Sequence, residues 1–193
     1  MPARNASDSW GSVAKILHWL IALGVLTAAV VAKVSEELSS SRDRYEWMVS
    51  HKSLGLTLLA LMLIRVAWRM SNPSPDLPAS MPRWQRLAAR LTHWGLYLVL
   101  LWMPITGWLA HSASGLPLKW FNWFKVPGLV GKDKALKGLA ENLHEWGFWL
   151  LIALFIVHVA AALKHHFIER DDTLRKMWFG NRMTPPNAPR DLE

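Results

Sequence analysis

Eight histidines are the residues of this chain whose type and placement could support chemistry. They are His18, His51, His93, His111, His144, His158, His165 and His166. The chain has no cysteine, which excludes thiolate catalysis, iron–sulfur clusters and cysteine-ligated metals and leaves imidazole as the obvious soft ligand. An ionisable side chain inside a membrane span is costly, so each histidine in an apolar segment calls for a functional role or for a place at the interface with water.

Two histidines, His144 and His158, lie fourteen residues apart in one apolar segment. Fourteen residues are about 3.9 turns of an α-helix, so the two imidazoles share one face. They lie about 21 Å apart along the helix axis, at a rise of about 1.5 Å per residue. This spacing is far too long for a single metal centre, and it predicts two centres, one near each side of a membrane.

Each centre needs a second ligand at the same depth. In a bundle with alternating helix directions, His18 reaches the level of His158, and His51 reaches the level of His144. The same pairing holds if the whole topology is inverted. The third apolar segment offers competitors, because His93 could replace His18 and His111 could replace His51. Geometry alone leaves both choices open. His165 and His166 fall just beyond the fourth segment, which favours interfacial positions or propionate contacts over iron ligation.

The elements that must position these residues are four apolar segments, each about as long as the 20 residues that a helix needs to cross a bilayer. They cover about residues 16–32, 51–68, 92–111 and 143–163. None alternates with the period of a strand. The sequence therefore predicts an all-α integral membrane protein built as a four-helix bundle. Pro104 is predicted to kink the third helix, which packed neighbours tolerate.

Composition agrees with a membrane protein. Hydrophobic residues make up 52% of the chain and charged residues 19%, below the roughly 25% of soluble domains. The net charge of +8 forms no basic stripe, so nucleic acid is not an expected partner. Thirteen tryptophans suit an aromatic belt at the interface. Thirteen Lys and Arg residues fall on the side of both termini and nine on the other, which favours cytoplasmic termini.

The connectors complete this outline. Residues 72–82 carry four prolines and end a helix. Residues 118–126 (LKWFNWFKV) suit a segment lying in the membrane interface. We expect one transmembrane domain over residues 1–180, followed by a disordered tail over residues 181–193.

Short motifs in a fixed order resemble the bacterial cytochrome b561 family, the four-helix branch of small di-haem cytochromes of the cytoplasmic membrane. They are residues 14–19 (AKILHW), 50–55 (SHKSLG), 91–97 (LTHWGLY), 103–107 (MPITG), 144–145 (HE), 158–166 (HVAAALKHH) and 172–177 (DTLRKM). Singly these motifs are short, but their order and spacing together are specific.

The resemblance implies two non-covalent b-type haems between the helices. In this family the fourth helix supplies two iron ligands, and the first and second helices supply one each. Carried over, His18 and His158 would bind one haem iron, and His51 and His144 the other. His93 matches a family histidine, for which we expect a quinone or propionate contact, whereas the resemblance assigns no role to His111. Arg65 and Arg69 could pair with haem propionates, or form an ordinary positive flank.

Two imidazoles on one iron leave no open coordination site, so such a haem transfers electrons and does not bind oxygen. The resemblance suggests ubiquinone as a redox partner in a bacterial inner membrane, and some members are similar to superoxide oxidases. Five lysines of the third connector could attract a small anion, or belong to a solvated loop. They are Lys119, Lys125, Lys132, Lys134 and Lys137.

Three other functions would use these histidines differently. A membrane-anchor cytochrome would have the same haems but would receive its electrons from a partner dehydrogenase. A histidine-box di-iron enzyme needs histidines clustered at one membrane level, and only His165 and His166 are adjacent. A non-redox membrane scaffold would use its histidines only at the interface and would show no haem absorption spectrum.

Overall fold

Four long helices make up most of the chain in the computed structural model, which describes residues 2–6, 9–72, 74–75 and 81–179. They are α1 (Ser12–Glu37), α2 (Ser41–Ser71), α3 (Arg83–Ala113) and α4 (Lys134–Lys164). Two short strands, β1 (Leu118–Trp120) and β2 (Phe124–Val126), lie between α3 and α4. A π-helical turn (His165–Glu169) continues α4, and a 3-10 turn (Arg175–Met177) follows. The predicted tail, residues 181–193, lies outside the described residues.

All four helices are long and apolar enough to cross a membrane. The predicted all-α membrane bundle of four helices is therefore confirmed. Each helix extends past its predicted apolar stretch into more polar turns, and at the starts of α2 and α4 a side chain caps the helix. At the start of α2, the Ser40 hydroxyl accepts a hydrogen bond from Asp43 N. At the start of α4, the Asp133 carboxylate accepts one from Leu136 N. Helix α3 continues through Pro104.

The helices pack unevenly. Helix α1 packs on α2, α2 on α3, and α3 on α4, whereas α4 makes little close backbone approach to α1 or α2. Ile21, Ala28, Leu58 and Met62 form a buried apolar core between α1 and α2. In the most apolar window of α4 only 6% of residues are buried. The backbones of α1 and α2 therefore stand away from that of α4, and we name the region between them the gap.

The gap has two ends. His18 and His158 lie beside the start of α1 and the end of α4, and we name this the terminal end of the bundle. His51 and His144 lie at the opposite end, which we name the hairpin end after the two strands. These strands pair antiparallel, with Lys119 opposite Lys125. The predicted interfacial segment, residues 118–126, is thus a β-hairpin.

The hairpin is attached to α2. The Trp120 indole nitrogen donates to the Thr57 hydroxyl at 3.1 Å, and Phe121 N donates to the Ser53 hydroxyl at 2.8 Å. Ser53 is fully buried, whereas Trp123 at the tip of the hairpin is 79% exposed. Phe121 and Asn122 adopt positive φ angles, which turn the chain sharply between the strands.

Candidate functional site

Histidines from different helices face each other at both ends of the gap. The ring centroids of His51 on α2 and His144 on α4 lie 6.2 Å apart at the hairpin end. Those of His18 on α1 and His158 on α4 lie 6.1 Å apart at the terminal end. The structure thus brings together the two pairs that helix depth and the family resemblance indicated.

Both separations suit two imidazoles that share one metal ion. A histidine nitrogen binds a metal such as zinc at about 2 Å, and the ring centroid lies about 1 Å behind that nitrogen, so imidazoles on opposite sides of one metal have centroids about 6 Å apart. An edge-to-face contact between aromatic rings can have a similar separation. What distinguishes the two explanations is the orientation of the ring nitrogens and the space around them.

At the hairpin end, main-chain carbonyls orient both rings. His51 Nδ1 donates to the Ala28 carbonyl at 2.9 Å, and His144 Nδ1 donates to the Met103 carbonyl at 2.8 Å. The Thr106 hydroxyl lies 3.2 Å from the same His144 nitrogen. A carbonyl partner places the proton on Nδ1 and leaves the Nε2 lone pair available to a metal, as in most metal-binding histidines.

Two glycines leave room around this pair. A Cβ atom on Gly107 would lie 3.2 Å from Cε1 of the His144 ring, so the bare backbone of α3 permits the close approach of that ring. Gly55 lies four residues after His51 and therefore on the same face of α2. A Cβ atom there would meet nothing within 4 Å. The two Nε2 atoms available to a metal and this open face of α2 fit a flat cofactor between α2 and α4.

A third imidazole lies at the terminal end. The ring centroid of His93 on α3 is 5.4 Å from that of His158. Two ligands on opposite sides of one metal are expected to have centroids about 6 Å apart. The 6.1 Å between His18 and His158 matches this separation, whereas the 5.4 Å between His93 and His158 is shorter. His93 therefore lies close to His158 as well, within reach of a group bound there.

The two arginines predicted near this level, Arg65 and Arg69, both lie against Tyr97. Arg65 Nε donates to the Tyr97 hydroxyl at 3.1 Å, and its Nη1 donates to the Ala14 carbonyl at 3.3 Å. The guanidinium of Arg69 lies 5.2 Å from the centre of the Tyr97 ring. Ala14 is only four residues before His18, so this positive charge lies on the terminal end of the gap.

The arginines also line a small pocket with Trp68. The Trp68 indole nitrogen is buried and has no hydrogen-bond partner among the described residues. Unpaired buried donors are rare in proteins. A carboxylate such as a haem propionate would satisfy this donor and the cationic lining together, so the residues present fit such a group.

The other three histidines form no pair of this kind. His111 lies in the last turn of α3, and its buried Nε2 has no partner within the described part of the chain. His165 Nδ1 contacts Glu169 at 2.6 Å and Asp171 at 2.7 Å. The His166 ring contacts Phe167 edge-on at 4.8 Å. His165 thus contacts two carboxylates in the turn that follows α4.

Sequence reasoning did not identify Thr106, Tyr97, or the carbonyls of Ala28 and Met103. Thr106 lies in the MPITG stretch that carried part of the family resemblance, which was the only available signal. A backbone carbonyl has no signature in the sequence. Its role becomes visible only when two helices are placed side by side.

The sequence pattern described as prokaryotic cytochrome b561 matches residues 9–180. The chain belongs to this family. It is 37% identical over 179 residues to cytochrome b561 homolog 2 of Escherichia coli K12, covering 92% of this chain and 95% of that protein. It is 31% identical over 164 residues to cytochrome b561 homolog 1 of the same organism, covering 83% and 92%.

A third relative is the probable superoxide oxidase CybB of Yersinia pestis, 31% identical over 170 residues, with 83% of this chain and 90% of that protein covered. Membership of the cytochrome b561 family implies binding of b-type haem, and four membrane-spanning helices make this a multi-pass bacterial membrane protein. The predicted family and the expectation of b-type haem are therefore confirmed.

Proposed function

We propose that this cytochrome b561 protein binds two b-type haems, one at each end of the gap, and carries electrons across the membrane. His18 and His158 would bind one iron, and His51 and His144 the other. The observation that carries the proposal is that both imidazole pairs have centroids about 6 Å apart, the separation expected of two ligands on one metal.

Bound haem would supply the one-electron chemistry, and the residues of this chain set its environment. The carbonyls of Ala28 and Met103 hold His51 and His144 with Nε2 available, which fixes ring orientation and raises ligand basicity. The apolar helices exclude water from the gap, and burial is one of the factors that set a haem potential. Helix α4 separates its two histidines by about 21 Å, which spans most of a bilayer core of about 30 Å.

Alanine variants of single histidines test the ligand set. We expect His18→Ala and His158→Ala to lose the same one of the two haems, and His51→Ala and His144→Ala to lose the other. Haem quantitation and reduced-minus-oxidised spectra of each purified variant give the answer. His93→Ala is the matched control, since it removes an imidazole from the same level and should keep both haems. Loss of haem in His93→Ala with retention in His18→Ala would reverse the assignment at the terminal end.

For the reaction, we propose oxidation of superoxide at the hairpin end and reduction of ubiquinone. Two superoxide ions would each give up one electron and leave as dioxygen, and ubiquinone would take up the two electrons and two protons to form ubiquinol.

The name of the Yersinia pestis relative supports superoxide as the electron donor. So does the hairpin, because the exposed Lys119 and Lys125 face each other on paired strands and concentrate positive charge. Lys137 contributes less, because Glu141 pairs with it at 2.6 Å.

Charge reversal tests this attraction. We expect the double variant Lys119→Glu/Lys125→Glu to slow haem reduction by superoxide and to weaken the dependence of its rate on ionic strength. Stopped-flow absorbance at the haem band, with ubiquinone as acceptor, measures both. Arg83→Glu/Arg90→Glu is the control, since both arginines are exposed at the other end. An unchanged rate in the hairpin variant would remove the steering role. If superoxide does not reduce the haems of the wild-type protein, superoxide is not the electron donor.

A further inference from the structure

The two helices that carry His18 and His158 hardly touch. Helix α4 packs on α3 and α1 packs on α2, and little close backbone contact joins α1 to α4. The hairpin-end pair is fixed by hydrogen bonds from each Nδ1 to a helix carbonyl. Among the described residues neither His18 nor His158 makes such a bond. The packing of α1 on α2, α2 on α3 and α3 on α4 connects the two helices only indirectly, so a segment that bridges α1 and α4 directly would help to set the separation of this pair.

The segment that follows α4 crosses from α4 to α1. We name residues 171–178 the C-terminal strap. Its first residue is tied to α4, because Asp171 N donates to the His165 carbonyl at 3.1 Å and the Asp171 carboxylate contacts His165 Nδ1 at 2.7 Å. Arg170, in a left-handed conformation with φ of 52°, ends the π-helical turn just before it.

Asp171 also shapes the strap itself. Its second carboxylate oxygen accepts a hydrogen bond from Thr173 N at 2.8 Å. Burial alone would raise the pKa of Asp171, but the bonds from Thr173 and His165 outweigh it, and the pKa lies below its ordinary value. The side chain is thus a carboxylate at neutral pH and can serve both partners at once.

The far end of the strap is attached to α1. The Trp19 indole nitrogen donates to the Met177 carbonyl at 3.0 Å, and Lys15 Nζ donates to the Trp178 carbonyl at 3.0 Å. The rings of Trp19 and Trp178 meet edge to face at 5.6 Å. Lys15 is a buried lysine, with 7% of its surface exposed, so its attachment is part of the packed structure.

These attachments lie directly beside His18. The Trp19 ring contacts the His18 ring edge-on, with centroids 5.3 Å apart. Lys15 lies three residues before His18 and therefore on the same side of α1. At the other end of the strap, His165 lies seven residues after His158, about two helical turns away. The strap thus connects the neighbours of both imidazoles across the gap.

We propose that the C-terminal strap positions the His18–His158 pair, with Trp19 as its contact on α1 and Asp171 as its anchor on α4. This rests on the proposed haem ligation at the terminal end. Trp19 and Asp171 are positioning residues, since they act through His18 and through α4. The haem at the hairpin end does not depend on the strap, because its ligands have their own carbonyl partners.

The test is Trp19→Phe, which keeps an aromatic ring and removes the donor to Met177. Loss of the residue that hydrogen-bonds to a metal ligand costs about tenfold or more in metal affinity. Trp19 is one contact further from the metal, so we expect a smaller effect. The reduced-to-oxidised ratio of the terminal-end haem at a fixed potential should change about threefold. Redox titration followed at the haem absorption bands measures this ratio. The low-spin signal of that haem in electron paramagnetic resonance should shift as well, because it depends on ligand orientation.

Trp149→Phe is the matched control, because Trp149 lies on α4, is 60% exposed, and has no hydrogen-bonded indole in the described structure. Asp171→Asn is a second variant, which keeps the side-chain shape and weakens the anchor on α4. It should change the redox ratio and the electron paramagnetic resonance signal of the same haem. If the redox ratio and the electron paramagnetic resonance signal of the terminal-end haem are the same in Trp19→Phe and Trp149→Phe, the strap does not position the pair. Equal changes in both haems would also overturn the proposal, since they indicate general loosening.

Failure of the proposed ligation has a different outcome. It would appear as retention of both haems in His18→Ala or His158→Ala, whatever the strap variants show. Normal haem loss in those alanine variants, together with an unaltered Trp19→Phe protein, would overturn the strap alone.

Discussion

At the scale of single residues, the site depends on two glycines, which have no side chain, as well as on the histidines. Gly107 permits the approach of the His144 ring to α3. Gly55 presents bare backbone to open space on the same face of α2 as His51. If that space belongs to a haem, a side chain placed there competes with the cofactor and disturbs no protein neighbour.

We therefore expect Gly55→Leu to fold into the membrane but to lose the haem held by His51 and His144. Replacing glycine inside a helix favours the helix by about 0.5–1 kcal/mol, so destabilisation of α2 is not expected to cause the loss. Haem quantitation and the reduced-minus-oxidised spectrum measure it. Gly138→Leu is the control, because a Cβ there also meets nothing within 4 Å but the residue does not share the face of His144. Full haem content in Gly55→Leu would show that this space is not the cofactor site.

The sequence could predict some of these residues and not others. The spacing of His144 and His158 predicts one shared helix face, because helical periodicity is local. The choice between His18 and His93 opposite His158 depends on how α1 and α3 approach α4, and no local pattern contains that. The centroid separations of 6.1 Å for His18 and 5.4 Å for His93 favour the proposed pairing with His18, and they exist only once the helices are packed.

At the scale of elements, the four helices were predictable because each carries a long apolar run, whereas the short elements were not. Residues 118–126 form a hairpin whose strands are three residues long, too short for a periodic pattern to be recognised. Its position is set by two polar residues of α2, Ser53 and Thr57, inside an apolar span. Such residues are satisfied by partners within the protein because lipid offers none.

Ser53→Ala tests that attachment. The Ser53 hydroxyl donates to the Val49 carbonyl and accepts from Phe121 N, so the substitution leaves a main-chain donor of the hairpin unpaired. We expect the docking of the hairpin to weaken by about 1–3 kcal/mol, the cost of an unsatisfied buried donor. Faster proteolytic cleavage within residues 118–126 would report it.

Ser50→Ala provides the comparison, because the Ser50 hydroxyl also donates to a carbonyl four residues earlier but has no partner in the hairpin. Equal protease resistance of the Ser53→Ala and Ser50→Ala proteins would mean that the hairpin is held by Trp120 and its apolar contacts instead.

At the scale of the whole molecule, the distribution of charge along the sequence favours one orientation in the membrane. Thirteen Lys and Arg residues belong to the segments around the two termini and the connector between α2 and α3, and nine belong to the other two connectors. Basic residues near the ends of spans are retained on the cytoplasmic side. We propose that both termini are cytoplasmic and that the hairpin faces the periplasm, where Lys119 and Lys125 would meet an anionic donor.

Reporter fusions test this orientation. We expect green fluorescent protein at the C-terminus to be fluorescent and alkaline phosphatase at the same place to be inactive, because that enzyme matures only outside the cytoplasm. Alkaline phosphatase fused after Gly131, in the connector between α3 and α4, should be active. The opposite pattern would place the hairpin in the cytoplasm. It would leave both histidine pairs intact, since inverting the bundle does not change which imidazoles share a level. It would, however, move the lysines away from any periplasmic donor, and superoxide generated outside the cell would then fail to reduce the haems.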